Sequence, residues 1–382
     1  MRVLFTCGGT AGHVNPALAV ADLVKGQDRK AEILFVGADG GMECDLVPRA
    51  GYAIQTVPVR HLQHSLKPAA LLENGRVLLG MATSLRAARR ILKDFRPDVV
   101  LGTGGYASFP VVWTAAGMGI PTAVHESNAL PGLTTRLLAR RASRVLISFE
   151  EARSAYQRPE RLVLTGTPVA SAFYLTGRAQ ARAALGLRED KPVVVSCFGS
   201  LGARDMNRFM VAFIAREVSD DCPFQHLHAT GKFGWAWMPD ALGDAGVDAA
   251  KTPDLRLSEY IYDMPLVMAA ADILIARAGA STLAELMVAG RPAVLIPSPN
   301  VTGDHQTKNA QALATEGGAV MIPEKECSGE ALYSLVAELL RQPARLTAMQ
   351  TRLRTLAQPD AAEKIYAILQ ELARQTKPQG KR

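Results

Sequence analysis

A chain of 382 residues, 48% of them hydrophobic, is long for one core, so two domains are expected. The formal charge of +7 sits almost wholly between Arg60 and Arg96, where Arg60, Lys67, Arg76, Arg86, Arg89, Arg90, Lys93 and Arg96 meet only Glu73 and Asp94; such a span suits lipid headgroups, nucleic acid or a phosphorylated substrate, or else is a solvated helix face. Five scattered cysteines with no C-x-x-C argue against a zinc site and fit reduced thiols in a cytoplasmic protein, and with neither a secretory signal nor an apolar run of about 18 residues, membrane contact is expected to be peripheral.

The first predicted strand is "VLFTC", from Val3 to Cys7. It breaks on Gly8 and Gly9, and a helix follows with His13 in its first turn. The runs "EILFVGA", "IQTVPV", "DVVLGTG", "PTAVHES" and "RVLISF" complete the strands of the first half. The second half repeats the pattern with "PVVVSCF", "HLHATG", "DILIARAG", "PAVLIPS" and "AVMIP". Short, fully apolar, β-branched runs between helical stretches mean buried parallel strands, so the fold class is α/β, with two Rossmann-like doubly wound domains facing a cleft. The expected domains are 1–164 and 165–345, with helices over 346–375 packing back on the first and the tail "TKPQGKR" disordered.

Ligands of open parallel sheets bind where strands end, so chemistry is sought in the strand-end loops. In "CGGTAGHVNPA" the glycines admit a close ligand and the helix N-terminus attracts an anion, although a tight turn would look the same. The helix dipole disfavours an imidazolium at His13, which suits a neutral ring acting as a base. "GTGGYASFP" carries Tyr106 behind a second glycine pair. "HESNALPGL" clusters Glu126, Ser127 and Asn128, a carboxylate and amide suited to sugar hydroxyls or to an Asn/Pro turn. In the second half, "FGSLGA" offers Ser200 to an anion. "ARAGASTLAELMVAGRP" presents Ala280, Ser281 and Thr282 at a helix start with Glu285 one turn on; Glu285 could take two ribose hydroxyls, or Thr282 and Glu285 could form a capping box. "PSPNVTGDHQTKNA" brings His305, Gln306 and Asn309. No D-x-D ends a strand and no metal constellation stands out, so neither metal nor cofactor is expected, and helix N-termini must balance any diphosphate.

Four of these stretches, "GGTAGHVNPAL", "GGYASFP", "HESNALPGLTTR" and "RAGASTLAELMVAGRPAVLIPSPNVTGDHQTKNA", resemble the MurG family of peptidoglycan glycosyltransferases, in the family's order and over Val3 to about Pro323. The resemblance implies the GT-B arrangement and inverting transfer of GlcNAc from UDP-GlcNAc to the C4 hydroxyl of undecaprenyl-diphosphate-linked muramoyl pentapeptide. It places Thr10, Ala11 and Gly12 along the substrates, His13 as base, and Glu126 and Tyr106 beside the acceptor chemistry. Asn128, His305 and Gln306 would hold the sugar. Ser200 and the amides of Ala280, Ser281, Thr282 and Leu283 would meet the diphosphate, Ile261 the uracil through its backbone, and Glu285 the ribose, with Ala284 also among the substrate-binding residues. The basic span would dock on anionic lipid at the cytoplasmic face of the membrane, with no nucleic acid partner. Two departures stand out: Ala170 replaces an arginine the family places near the donor phosphates, and Leu201 replaces a polar residue. The rivals are a sibling transferase acting on another lipid and a UDP-sugar epimerase of the same architecture.

Overall fold

The computed structural model describes residues 1–59, 68–199, 202–301 and 304–375, with the backbone alone for 68–79. The chain forms two compact units, Met1–Ala170 together with Gln358 onward, and Ser171–Ala357.

The first unit contains β1 Arg2–Thr6, α1 Ala11–Gln27, β2 Glu32–Ala38, α2 Glu43–Arg49, β3 Ala53–Val57, α3 Pro68–Phe95, β4 Val99–Gly102, α4 Ser108–Gly117, β5 Thr122–Glu126, α5 Leu133–Leu138, β6 Arg144–Ile147 and β7 Leu162–Leu164. All strands are parallel, in the order β3-β2-β1-β4-β5-β6-β7. Alternation along β1 sends Val3 and Phe5 to one face and Leu4 to the other. The first face packs on α1, and the second packs under α3, α4 and α5 through Ile91, Leu92, Val112 and Leu138.

The second unit contains α6 Ala172–Leu175, α7 Arg178–Leu185, β8 Val193–Cys197, α8 Arg204–Ser219, β9 Gln225–Ala229, α9 Lys232–Trp235, α10 Met238–Asp244, β10 Leu255–Ser258, α11 Met264–Ala270, β11 Ile273–Ala276, α12 Ala280–Ala289, β12 Ala293–Leu295, α13 His305–Thr315, β13 Ala319–Met321, α14 Gly329–Leu340 and α15 Pro343–Leu356. Its parallel order is β10-β9-β8-β11-β12-β13. A wholly buried arginine ties it together: Arg182 pairs with Asp272 at 2.6 Å and donates to the carbonyls of Arg188, Glu189 and Lys191, each at 3.1 Å. A buried guanidinium persists only when so many acceptors replace its water.

The last helix, α16 Ala361–Gln375, returns to the first unit. There Ile365, Leu369 and Leu372 are wholly buried among the side chains of α1 and β1. Each such side chain contributes about 1.5–3 kcal/mol. Of the two C-terminal helices expected on the first domain, only α16 lies there; α15 packs in the second unit on α12 and α14. Two strands absent from the sequence reading, β7 and β10, are sheet edges. β7 is only three residues, Leu-Val-Leu, and β10, Leu-Arg-Leu-Ser, alternates apolar with polar residues. The tail "TKPQGKR", Arg60, Lys67, Ser200 and Leu201 lie outside the described residues.

Candidate active site

In each unit the strand order reverses between the first strand and its outward neighbour, β1/β4 in one and β8/β11 in the other. Chains leave such a pair in opposite directions, which opens a crevice at the strands' carboxyl ends. Most of the candidate residues lie on loops that follow these strands.

In the first unit, Thr10 is the extended residue before α1, and Ala11, Gly12 and His13 form its half-buried first turn. His13 Nδ1 lies 3.0 Å from the Gly8 carbonyl and 3.3 Å from Thr10 Oγ1. A carbonyl can only accept, so the ring proton sits on Nδ1 and the basic lone pair of the neutral ring is on Nε2. The ring rests on the β4–α4 loop: a Cβ at Gly104 would lie 2.5 Å from His13 Cδ2 and 2.9 Å from Nε2. Thr103 Oγ1 donates to the His13 carbonyl at 2.7 Å, and Ser108 Oγ donates to the carbonyls of Thr6 and Gly104. Tyr106 is half-buried on the same turn.

Glu126 ends β5, and its carboxylate is taken up by its own loop. One oxygen accepts from Asn128 N and Nδ2 at 3.0 and 3.1 Å, and the other accepts from Gly132 N at 2.9 Å. Glu126 thus braces Asn128 and the loop that carries it. The neighbouring His125 is buried against the Gly166 carbonyl at 3.0 Å, and burial lowers its pKa. Sequence reading missed Glu43. This wholly buried carboxylate accepts from Ala38 N at 2.7 Å and Gly9 N at 3.1 Å, and so holds the glycine loop ahead of His13. Its one local signal is an acid just after the "DGG" turn.

In the second unit, Gly279 is the extended residue before α12, and no side chain caps that helix. Thr282 thus sits in the first turn, not at the cap, and the capping box does not form. The first-turn amides of Ala280, Ser281 and Thr282 have no intrahelical acceptor; Leu283 N donates to the Gly279 carbonyl, and Leu283 and Ala284 are buried. Half-buried Glu285 lies one turn on. Burial first, and the Glu285 charge second, push the Cys197 thiol at the end of β8 up to about 12. The carboxylate therefore lies close to the β8 strand end, at the reversal point.

The other candidates occupy neighbouring loops. Gln306 Oε1 accepts from Ser298 N at 2.9 Å, which pins the loop ahead of α13, and half-buried His305 is that helix's first residue. Asn309 is buried and donates to the Ala278 carbonyl at 3.3 Å, a structural role. Ile261 is half-buried between β10 and α11, flanked by Tyr260 and Tyr262, whose rings meet edge-on at 4.9 Å. Arg277, also missed, donates to the carbonyls of Ile296 and Pro297 at 3.1 Å and pairs with Glu324, which clamps the ends of β11 and β12 together.

Two parallel units, each with a helix N-terminus at its reversal point, define the GT-B class of nucleotide-sugar glycosyltransferases. The glycosyltransferase family 28 N-terminal domain matches residues 3–147, and the family 28 C-terminal domain matches residues 193–365. The chain belongs to the MurG-type members of this family. It is 39% identical over 372 residues to the UDP-N-acetylglucosamine–N-acetylmuramyl-(pentapeptide) pyrophosphoryl-undecaprenol N-acetylglucosamine transferase of Acetivibrio thermocellus, covering 97% of this chain and 98% of the relative. The Desulforudis audaxviator protein of the same name is 40% identical over 376 residues, covering 98% and 99%. The crystal structure of Acinetobacter baumannii MurG is similar with a TM-score of 0.70 and 28% identity, covering 97% of this chain and 99% of that one. A UDP-GlcNAc 2-epimerase from Neisseria meningitidis has a TM-score of 0.65 at 14% identity, covering 97% and 100%, a likeness of fold alone.

Proposed function

We propose that this chain transfers GlcNAc from UDP-GlcNAc to the C4 hydroxyl of the muramyl sugar of undecaprenyl-diphosphate-muramoyl pentapeptide, with inversion at the transferred carbon. The near-full-length relatives named for this reaction support the reading. The observation that carries its chemistry is the His13 ring, its proton directed to the Gly8 carbonyl.

In this reading His13 Nε2 takes the acceptor hydroxyl proton as the oxygen attacks C1 of GlcNAc. The C1–O bond to the diphosphate breaks, and its electron pair leaves with UDP. Charge on the departing diphosphate is met by the first-turn amides of α12, those of Ala280, Ser281 and Thr282, with Leu283 and Ala284 behind them, and by Ser200. Glu285 accepts from the ribose hydroxyls and Ile261 meets uracil through its backbone. Asn128, held by Glu126, orients the sugar with His305 and Gln306. Tyr106 and the Thr10–Gly12 turn line the acceptor side. The 1–164 domain thus serves the acceptor and 165–345 the donor.

The acceptor is a lipid, and among the described residues no helix is long and apolar enough to cross a membrane. On α3, Ser84, Ala88, Ile91 and Leu92 are buried while Arg86, Arg89, Arg90 and Lys93 are exposed. That amphipathic arrangement supports peripheral docking on anionic lipid at the cytoplasmic face of the membrane. The test of the reaction is transfer of radiolabel from UDP-GlcNAc into the lipid phase, with the muramyl lipid and a diacylglycerol in parallel. Label in the muramyl lipid alone is expected. Label in neither, with the donor still bound, would remove the transferase reading.

A further inference from the structure

We propose that Glu43 acts on His13 through the Gly8–Gly9 peptide, as a positioning residue that sets both the orientation and the basicity of the ring. The proposal rests on the reading of His13 as the base and names what stands behind it. Two hydrogen bonds share one peptide group. Its carbonyl, Gly8 O, accepts from His13 Nδ1 at 3.0 Å, and its N–H, Gly9 N, donates to Glu43 Oε2 at 3.1 Å. In a trans peptide these two groups point in opposite directions, so imidazole, peptide and carboxylate form one chain of donors and acceptors with a negative charge at its far end. Gly9 has φ +86, which glycine takes without strain and other residues do not.

The surroundings hold this chain in place. A Cβ at Gly8, Gly37 or Gly41 would overlap the Glu43 side chain, and its other oxygen accepts from Ala38 N at 2.7 Å. Gly105 packs on the same peptide, so that a Cβ there would overlap the Gly8 carbonyl. Four glycines thus clear the space that the carboxylate and the peptide occupy. Space alone does not ask for an acid. Glu43 is wholly buried, and two amides replace only part of the water a carboxylate loses, so an uncharged side chain would fill this chamber at less cost. The charge has a use one peptide away. A carboxylate that accepts from a peptide N–H makes the carbonyl of that peptide a stronger acceptor, and a nearby negative charge favours the imidazolium that forms when Nε2 takes the acceptor proton. The Nδ1 proton stays in place while Nε2 gains one. This opposes the α1 N-terminus, which disfavours the charged ring. The charge of Glu43 is felt at the end of β1, where burial first and that charge second hold the Cys7 thiol far above its ordinary range. The other titratable groups on the elements around the ring are Asp39 and Cys44 beside Glu43, Tyr106 on the β4–α4 loop, and His125 and Glu126 on β5. His125 and His13 oppose each other's charge, and Glu126 is held by its own loop.

The first test is nitrogen NMR of the full chain carrying 15N-histidine, with the His13 signals assigned by their loss in His13→Gln. The parent ring is expected as the Nδ1–H tautomer. Glu43→Gln, close to isosteric, should lower the pH at which that ring gains its second proton by about 0.5–1 unit. Glu43→Asp keeps the charge and should titrate near the parent. An Nε2–H tautomer in the parent, equal titration of the parent and Glu43→Gln, or a Glu43→Asp shift as large as that of Glu43→Gln would each overturn the proposal, and the first of these needs no variant to fold. Kinetics separates the proposal from the reading it rests on. In folded Glu43→Gln, kcat should fall about three- to tenfold with the donor KM unchanged, and the acid limb of the kcat profile should move to lower pH. If His13→Ala keeps the parental rate, the base reading fails. If His13→Ala loses its activity while the Glu43→Gln limb coincides with that of the parent, the role of Glu43 alone fails.

Discussion

Gly104→Ala tests whether the β4–α4 loop sets the position of the base. The added Cβ would lie 2.5 Å from His13 Cδ2, whereas carbon atoms rest about 3.5–4.0 Å apart. The ring must then retreat by roughly 1 Å, a displacement that typically lowers a rate about 10²-fold, or about 2.7 kcal/mol. Gly104 also has φ +113, where an alanine adds about 1–3 kcal/mol of backbone strain. The assay is UDP release with the donor varied at saturating muramyl lipid, with circular dichroism and thermal unfolding on the same samples. A folded variant should lose about 10²-fold in kcat with its donor KM little changed. His13→Ala should lose 10²–10⁴-fold, and adding Gly104→Ala to it should cost little more, because both act through one ring. Parental kcat in a folded Gly104→Ala protein, or losses that add in full, would refute the reasoning.

Glu285→Ala should raise the donor KM about tenfold or more while kcat at saturation persists, since bonds to a carboxylate contribute about 1.5–3 kcal/mol; an unchanged KM would leave Glu285 without a ribose to hold. Arg182→Ala should cost about 3–5 kcal/mol in denaturant unfolding by leaving a buried cavity and depriving the carbonyls of Ala270, Arg188, Glu189 and Lys191 of their donor, while Asp272 keeps Arg178 and the Val193 amide; a loss below about 1 kcal/mol would refute the buried clamp. Burial, followed by the neighbouring His226, lowers the His228 pKa to about 3 from an ordinary 6.5. Between those values the unfolded chain binds a proton that the native state does not, so this residue's contribution is present above pH 6.5 and is lost as the pH falls, by up to about 1.4 kcal/mol per unit. His228→Gln should flatten the acid limb of stability, and an unchanged limb measured by chemical unfolding between pH 7 and 4 would rule that out.

The inner strands were legible because a strand buried on both faces is a continuous apolar run, and its glycine turn marks where it ends. Two edge strands escaped: β7 is too short at three residues to stand out, and β10 alternates apolar with polar side chains and so resembles a loop. His13 could be found because its loop is local. Glu43 and Arg277 could not, because their partners are set by the packing of other elements: Glu43 reaches back 34 residues to Gly9, and Arg277 reaches across to the end of β12. Glu126 was visible as a polar side chain at a strand end. Sequence cannot tell an acid aimed at a ligand from one whose oxygens are already taken by Asn128 and Gly132. The start of α12 at Ala280 was legible, but the choice between a ribose-binding Glu285 and a capping box was not, because Thr282 and Glu285 reproduce the spacing of a cap one turn inside the helix.

The return of α16 to the first unit bears on the order in which the protein forms. The second unit is one uninterrupted segment, so it leaves the ribosome with every residue of its own core. The first unit emerges earlier yet lacks Ile365, Leu369 and Leu372 until the whole second unit has been made. Until then α1 and β1 carry an uncovered apolar strip. The unit whose translation starts first is thus completed after the other, and loss of α16 would harm a core whose strands lie about 200 residues or more before it.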